Sequence, residues 1–184
     1  MCVPDSYTPS YSSSTMSTAS DDQLPTLPPS YTLREGYPPV TDYLHLRKAS
    51  GLTPKTSAQA SAAINGSWSG CFITYEAPKN PSESESDRST STASNPVPIA
   101  MGRIIGDGGW YFHIVDMAVL PEHQRRGLGD IILKALLKKI WESVPKDDGG
   151  KPYITLFADV PGRKLYERNG FVDAMPRSMG MKLY

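Results

Sequence analysis

The chain has 184 residues, 39% of them hydrophobic, enough for one domain with a sizeable core plus polar tails. Nineteen Lys and Arg balance nineteen Asp and Glu, and the isoelectric point is near 6.8, so the basic excess that marks nucleic-acid binding is missing. No run of 18 apolar residues occurs, so neither a membrane span nor a membrane partner is expected.

Residues 1–29 are rich in Ser, Thr and Pro and carry too few apolar side chains to offset ordering entropy, so they read as a flexible tail. The first basic residue is Arg34, and no secretory or Arg-rich transit pattern precedes it; a cytoplasmic or nuclear protein is the expectation. Cys2 and Cys71 are the only cysteines, and with Cys2 in the tail neither a disulfide nor a metal site is expected.

The folded domain is expected over residues 30–184. Tyr31–Glu35 reads as a strand; Val40–Lys48 and the Ala-rich Thr56–Asn65 read as helices. Trp68–Tyr75 and Val97–Ile105 are strands separated by residues 77–96, a polar insertion in one hairpin loop. Gly106-Asp107-Gly108-Gly109 turns the chain into a third strand, Trp110–Val119. Ile132, Leu133, Leu136, Leu137, Ile140 and Trp141 then recur at helical spacing, with Lys134, Lys138 and Lys139 on the other side. Tyr153–Ala158 is a short strand, Arg163–Arg168 a short helix stopped by Asn169-Gly170, and Phe171 opens a last extended segment. The order β-α-α-β-β-β-α-β-α-β predicts a mixed α/β fold.

The chemistry concentrates where the third strand meets the long helix. There Gln124-Arg125-Arg126-Gly127-Leu128-Gly129 forms a tight turn whose glycines open the helix. Free N–H groups at a helix start attract anions, and glycine lets a bulky one approach the backbone. Arg125 and Arg126 add positive charge, so a pyrophosphate is the natural ligand. The turn lacks the Gly-Lys-Ser/Thr ending of a P-loop and the full G-x-G-x-x-G of a dinucleotide fold.

Ala118-Val119, Pro121 and Gln124–Gly129 resemble the Q/R-x-x-G-x-G/A signature of the GNAT superfamily of acetyl-CoA-dependent N-acetyltransferases. Leu165-Tyr166-Glu167-Arg168-Asn169-Gly170-Phe171 is similar to that superfamily's Y-x-x-x-G-F segment. The resemblance implies a mostly antiparallel central sheet with flanking helices, and acetyl-CoA wedged between two splayed strands. Main-chain groups of Met117 and Val119, flanking Ala118, would pair with its pantetheine arm. The N–H groups from Arg125 to Asp130 would hold its pyrophosphate. Asp130 departs from the usual neutral or basic residue and reads as an acid complementing the helix dipole. Asp159 falls where the superfamily commonly has a cofactor-contacting Asn; a capping acid is the plainer reading.

Acetyl transfer to an amine needs a base, donors for the oxyanion and an acid for the leaving thiolate. The resemblance assigns the acid to Tyr166, whose phenol keeps its proton at neutral pH. For the base it offers His113 first and Asp116 second. Alternation along the strand predicts that His113, Val115, Met117 and Val119 share one face and that Asp116 lies on the other. Trp68, Phe72, Tyr75, Trp110, Tyr111, Phe112 and Phe157 are expected to border the acceptor cavity, which suits a small (aryl)alkylamine. A protein lysine or N-terminus is the alternative acceptor. A non-catalytic acyl-CoA-binding module is the rival class; it would tolerate loss of Tyr166 and His113.

Overall fold

The computed structural model describes residues 25–78, 95–145, 147–176, 178–181 and 183. The proposed tail falls mostly outside them, as do residues 79–94 of the insertion. Packing already includes Leu27, three residues before the expected domain start.

Five strands lie in chain order across one sheet: β1 (Tyr31–Glu35), β2 (Ser69–Tyr75), β3 (Val97–Gly106), β4 (Tyr111–Val119) and β5 (Tyr153–Leu156). The first four are antiparallel neighbours. β5 runs parallel to β4, which demands a crossover, and the amphipathic α3 (Leu128–Ser143) supplies it. Two shorter helices, α1 (Val40–Ala49) and α2 (Ser57–Asn65), connect β1 to β2; Thr56 and Gln59 close a capping box at the start of α2.

The two helical layers lie on opposite faces of the sheet. A Cβ added at Gly102 would meet Met117, Ile132 and Leu136 on the α3 side, whereas the next residue, Arg103, reaches Tyr43 of α1. Leu128, Ile132, Leu133, Leu136 and Ile140 are fully buried against Ile73, Ile104 and Phe112, each contributing on the order of 2 kcal/mol. Trp141 belongs to the same helical periodicity but stays half-exposed.

Two departures from the sequence pattern bear on the site. Arg103 pairs with Val115 and Met101 with Ala118, so β4 spends one extra residue there. The bulge centres on Asp116, whose φ is +56°, and it switches the alternation. His113 and Val115 therefore keep the α1 face, Asp116 joins them, and Met117 crosses to the α3 side, contrary to the uninterrupted alternation expected. The second departure is at the C-terminus. After α4 (Arg163–Arg168) the described residues form no strand: the Phe171 N–H goes to the Tyr166 carbonyl (3.1 Å), and Pro176 has no N–H to offer a ladder. No described helix is long and apolar enough to cross a membrane.

Candidate active site

β4 and β5 part company midway. Their ladder runs from Tyr111↔Tyr153 to Ile114↔Leu156 and stops, while β4 continues to Val119. The Leu120 N–H donates to the Ile99 carbonyl (2.9 Å), so alternation turns the main chain of Ala118 toward β3 and that of Met117 and Val119 toward the open cleft. Ala118 is buried and spends its backbone on the sheet. The Val119 carbonyl already accepts from Gln124 Nε2 (3.0 Å) and Ser50 Oγ (3.1 Å), which leaves its N–H as the cleft's donor.

The turn below the cleft is built from unusual backbone. Arg125 has φ +59° and Gly127 φ +79°; Gly127 is the N-cap of α3 and makes no side-chain cap. Nothing lies within 4 Å of a Cβ built on Gly127, so the space in front of it is open. A bulky anion fits that cradle. The Asp130 and Ile131 N–H groups both donate to the Gly127 carbonyl (3.0 and 3.1 Å), so Asp130 is not among the free donors expected from the motif. The Gly127, Leu128 and Gly129 N–H groups have no partner among the described residues. Gln124 braces the loop: its side chain holds Val119 and its N–H donates to the Pro121 carbonyl (3.3 Å). Arg126 folds back onto Tyr31 Oη and the Glu122 carbonyl, both at 3.2 Å, while Arg125 stays exposed beside the loop.

Asp130 ties α3 to α4. Its carboxylate accepts from Asn169 Nδ2 (2.8 Å) and Lys134 Nζ (3.0 Å). Burial raises its pKa, but the Asn169 and Lys134 contacts outweigh burial and hold it below the usual carboxylate value. Gly129 sits between Leu165 and Val119, and a Cβ there would lie 3.4 Å from Leu165 Cδ2. The loop, the end of β4 and α4 thus pack together. On α4, Tyr166 is partly buried, with its ring edge-on to Phe171 at 6.0 Å and no hydrogen-bond partner for its hydroxyl among the described residues. Burial, and then the charge of Asp159, raise its pKa above 10.0. Asp159 itself makes no side-chain cap; only its carbonyl is used, accepting from the Gly162 N–H (2.9 Å).

The two candidate bases stand in different environments. His113 Nδ1 lies 2.7 Å from Thr155 Oγ1, and that hydroxyl donates its one proton to the Phe112 carbonyl (3.3 Å). Nδ1 is therefore assigned the ring proton, and Nε2 is left with a lone pair. Burial lowers the His113 pKa below 6.5, so the ring is neutral at pH 7. Asp116 instead accepts from Tyr43 Oη, Arg47 Nη1 and Arg103 Nε. Burial raises its pKa, and the Tyr43 bond and both guanidinium groups overcome that and hold it low. A carboxylate so held is a poor base, which removes the reason to assign it that role.

Of the seven aromatics expected around the acceptor, the fold brings three to the His113 side. Phe112 is fully buried on the α3 face, ring to ring with Trp68 at 4.9 Å; Tyr75 packs on Tyr31 and His123 at the other end of the sheet; Phe72 sits on β2, with β3 between it and β4. Phe157 lies 5.1 Å from the His113 ring, and Trp110 and Tyr111 continue the surface. Two neighbours were missed in the sequence: Tyr153, 5.4 Å from Tyr111, and Thr155, the partner of His113. Ile105 (43% exposed), Tyr111 (43%), Tyr153 (48%) and Phe157 (73%) make an apolar shelf around His113 with no charged side chain among them.

Comparison with known proteins agrees with this architecture. Residues 92–173 match the model of the acetyltransferase (GNAT) domain. A probable acetyltransferase from methicillin-resistant Staphylococcus aureus is 30% identical over 84% of this chain and 98% of that one, with a TM-score of 0.66. A GNAT-family acetyltransferase from Streptococcus pneumoniae (18% identity, 84% and 96% covered, TM-score 0.58) shares the fold. So does the ribosomal-protein-S18-alanine N-acetyltransferase of Escherichia coli (15%, 79% and 79%, TM-score 0.55). No curated protein matches the sequence. With the splayed strands, the glycine-opened helix and both motifs in one cleft, the chain belongs to the GNAT superfamily and is an N-acetyltransferase.

Proposed function

We propose that this enzyme transfers the acetyl group of acetyl-CoA directly to the primary amine of a small molecule with an aryl or other apolar body. The observation that carries this reading is the pairing of His113 with Thr155. It holds a neutral imidazole with Nε2 unprotonated inside an uncharged aromatic shelf, at the last rungs before β4 and β5 separate. Acetyl-CoA, which GNAT enzymes use as co-substrate, supplies the thioester; the Val119 and Gly127–Gly129 N–H groups would hold its pantetheine and diphosphate. His113 Nε2 takes the proton of the incoming ammonium, directly or through water. As the C–N bond forms and the C–S bond breaks, Tyr166 Oη, which its raised pKa keeps protonated at neutral pH, gives its proton to the departing sulfur. The phenolate takes up the second amine proton, directly or through water, so that amide and thiol leave with the phenol restored. The shelf favours an acceptor with an apolar body over polyamines and aminoglycosides, whose several positive charges call for carboxylates.

The openness of the shelf supports a second reading, a polypeptide N-terminus or lysine as acceptor. A thiol-release assay with a panel of arylalkylamines, polyamines, aminoglycosides and short peptides separates the two. Turnover highest with arylalkylamines supports the first reading; turnover confined to peptides moves the assignment to the second.

The folded domain is proposed to start near Leu27, so removing residues 1–24 spares activity.

A further inference from the structure

Asp116 is the one residue of β4 with positive φ, and it sits where the strand gains its extra residue. An L-residue there is strained; Asp tolerates it better than most but does not choose it unaided. The carboxylate is gripped from three sides. Tyr43 and Arg47 reach it from successive turns of α1, and Arg103 reaches it from β3. The grip is itself anchored: Arg47 Nη2 donates to the Thr53 carbonyl (2.8 Å), and Arg103 donates to Ser67 Oγ (2.9 Å) and Tyr43 Oη (3.2 Å). Arg47 is 7% exposed, and its Nε has no partner. Two guanidinium groups around one carboxylate, with a buried donor unpaired, is an expensive arrangement for fold stability alone.

We propose that Tyr43, Arg47 and Arg103 are positioning residues for the cofactor: they hold Asp116 left-handed, and the bulge so fixed aims the Met117 and Val119 main chain into the cleft. The assignment rests on the acetyl-CoA reading above. It makes Asp116 a hinge pin and not a base. It also explains why helix α1, which the motifs do not include, packs directly on β3 and β4, the two strands that meet at the bulge.

The test uses the full chain and three substitutions, with acetyl-CoA titrated calorimetrically well below the melting transition and backbone amide shifts recorded by NMR. Asp116→Ala loses the grip and carries the left-handed penalty, so acetyl-CoA affinity falls about tenfold. Tyr43→Phe removes one hydrogen bond and serves if Asp116→Ala does not fold; affinity falls about threefold. Asp116→Asn, which tolerates positive φ and still accepts hydrogen bonds, retains affinity better than Asp116→Ala. In the weakened variants the Met117 and Val119 amide resonances move while those of Tyr111 and Phe112 stay. Folded variants that melt lower but bind acetyl-CoA as wild type overturn the proposal, whether or not the resonances move. If the wild-type chain takes up no acetyl-CoA, the proposed function fails, and unmoved Met117 and Val119 resonances then overturn the clamp separately.

Discussion

Replacing Gly127 with Asp and with Ala tests the anion cradle by opposite rankings. Gly127 has φ +79°, and no atom lies within 4 Å of a Cβ built on it, so both substitutions cost conformational energy but cause no clash. A left-handed non-glycine residue costs roughly 1–2 kcal/mol, less for Asp than for Ala, lowering the melting temperature by roughly 3–6 °C for a domain of this size. On stability alone, Ala is the worse substitution. Affinity predicts the reverse. A carboxylate about 5 Å from the diphosphate, at an effective dielectric of about 40, costs about 1.7 kcal/mol per unit charge. Two charges give about 3 kcal/mol, more than a hundredfold in Kd. Calorimetric titration of acetyl-CoA into each folded variant, with melting curves alongside, reads both rankings. Equal losses of affinity for Ala and Asp would refute an anion at this turn.

Four further outcomes follow from the geometry. Tyr166→Phe lowers kcat by about a hundredfold with acetyl-CoA affinity unchanged, because the phenol hydroxyl lacks a partner among the described residues and acts as an acid only during thiolate departure; stopped-flow turnover beside calorimetry checks it. Activity falls as acid protonates His113, at a pH below its ordinary 6.5 because burial lowers its pKa, and His113→Ala removes that limb from the kcat/KM profile. The same shift acts on stability: the unfolded chain takes up the proton first, so stability drops as pH falls below 6.5 and levels off once the folded ring is also protonated; His113→Ala reduces that loss in pH-dependent melts and leaves the share of His123, whose pKa burial also lowers. Gly102→Ala drives a Cβ to 2.6 Å from Met117 Sδ and 2.8 Å from Ile132 Cγ2, costing roughly 1–3 kcal/mol in denaturant unfolding.

What could be read from sequence was punctuated locally. The helix Arg163–Arg168 has the expected bounds because Pro161-Gly162 and Asn169-Gly170 close it at both ends. The start of α3 is legible for the same reason: Gly127 and Gly129 announce a helix opening that no side chain caps. The bulge is not legible, since the side chains that meet Asp116 at its φ of +56° include Tyr43 and Arg47, 73 and 69 residues away in the chain. Alternation then misplaced Met117. Thr155 escaped notice because it lies 42 residues from His113 in the chain and meets it only through parallel register after the α3 crossover. Period-2 patterning could not say that the described residues after Phe171 would find no partner strand, because pairing depends on what lies alongside and not on the segment itself.

Main-chain N–H groups at the start of α3 are proposed to hold the diphosphate of coenzyme A. Parallel calorimetric titrations of the full chain with acetyl-CoA and with S-acetylpantetheine, which carries the same thioester without the diphosphate, test it most directly. Saturable one-site binding of the first and at least about hundredfold weaker binding of the second is the expected result. Equal binding of the two, or no heat with acetyl-CoA from correctly folded protein, would contradict it.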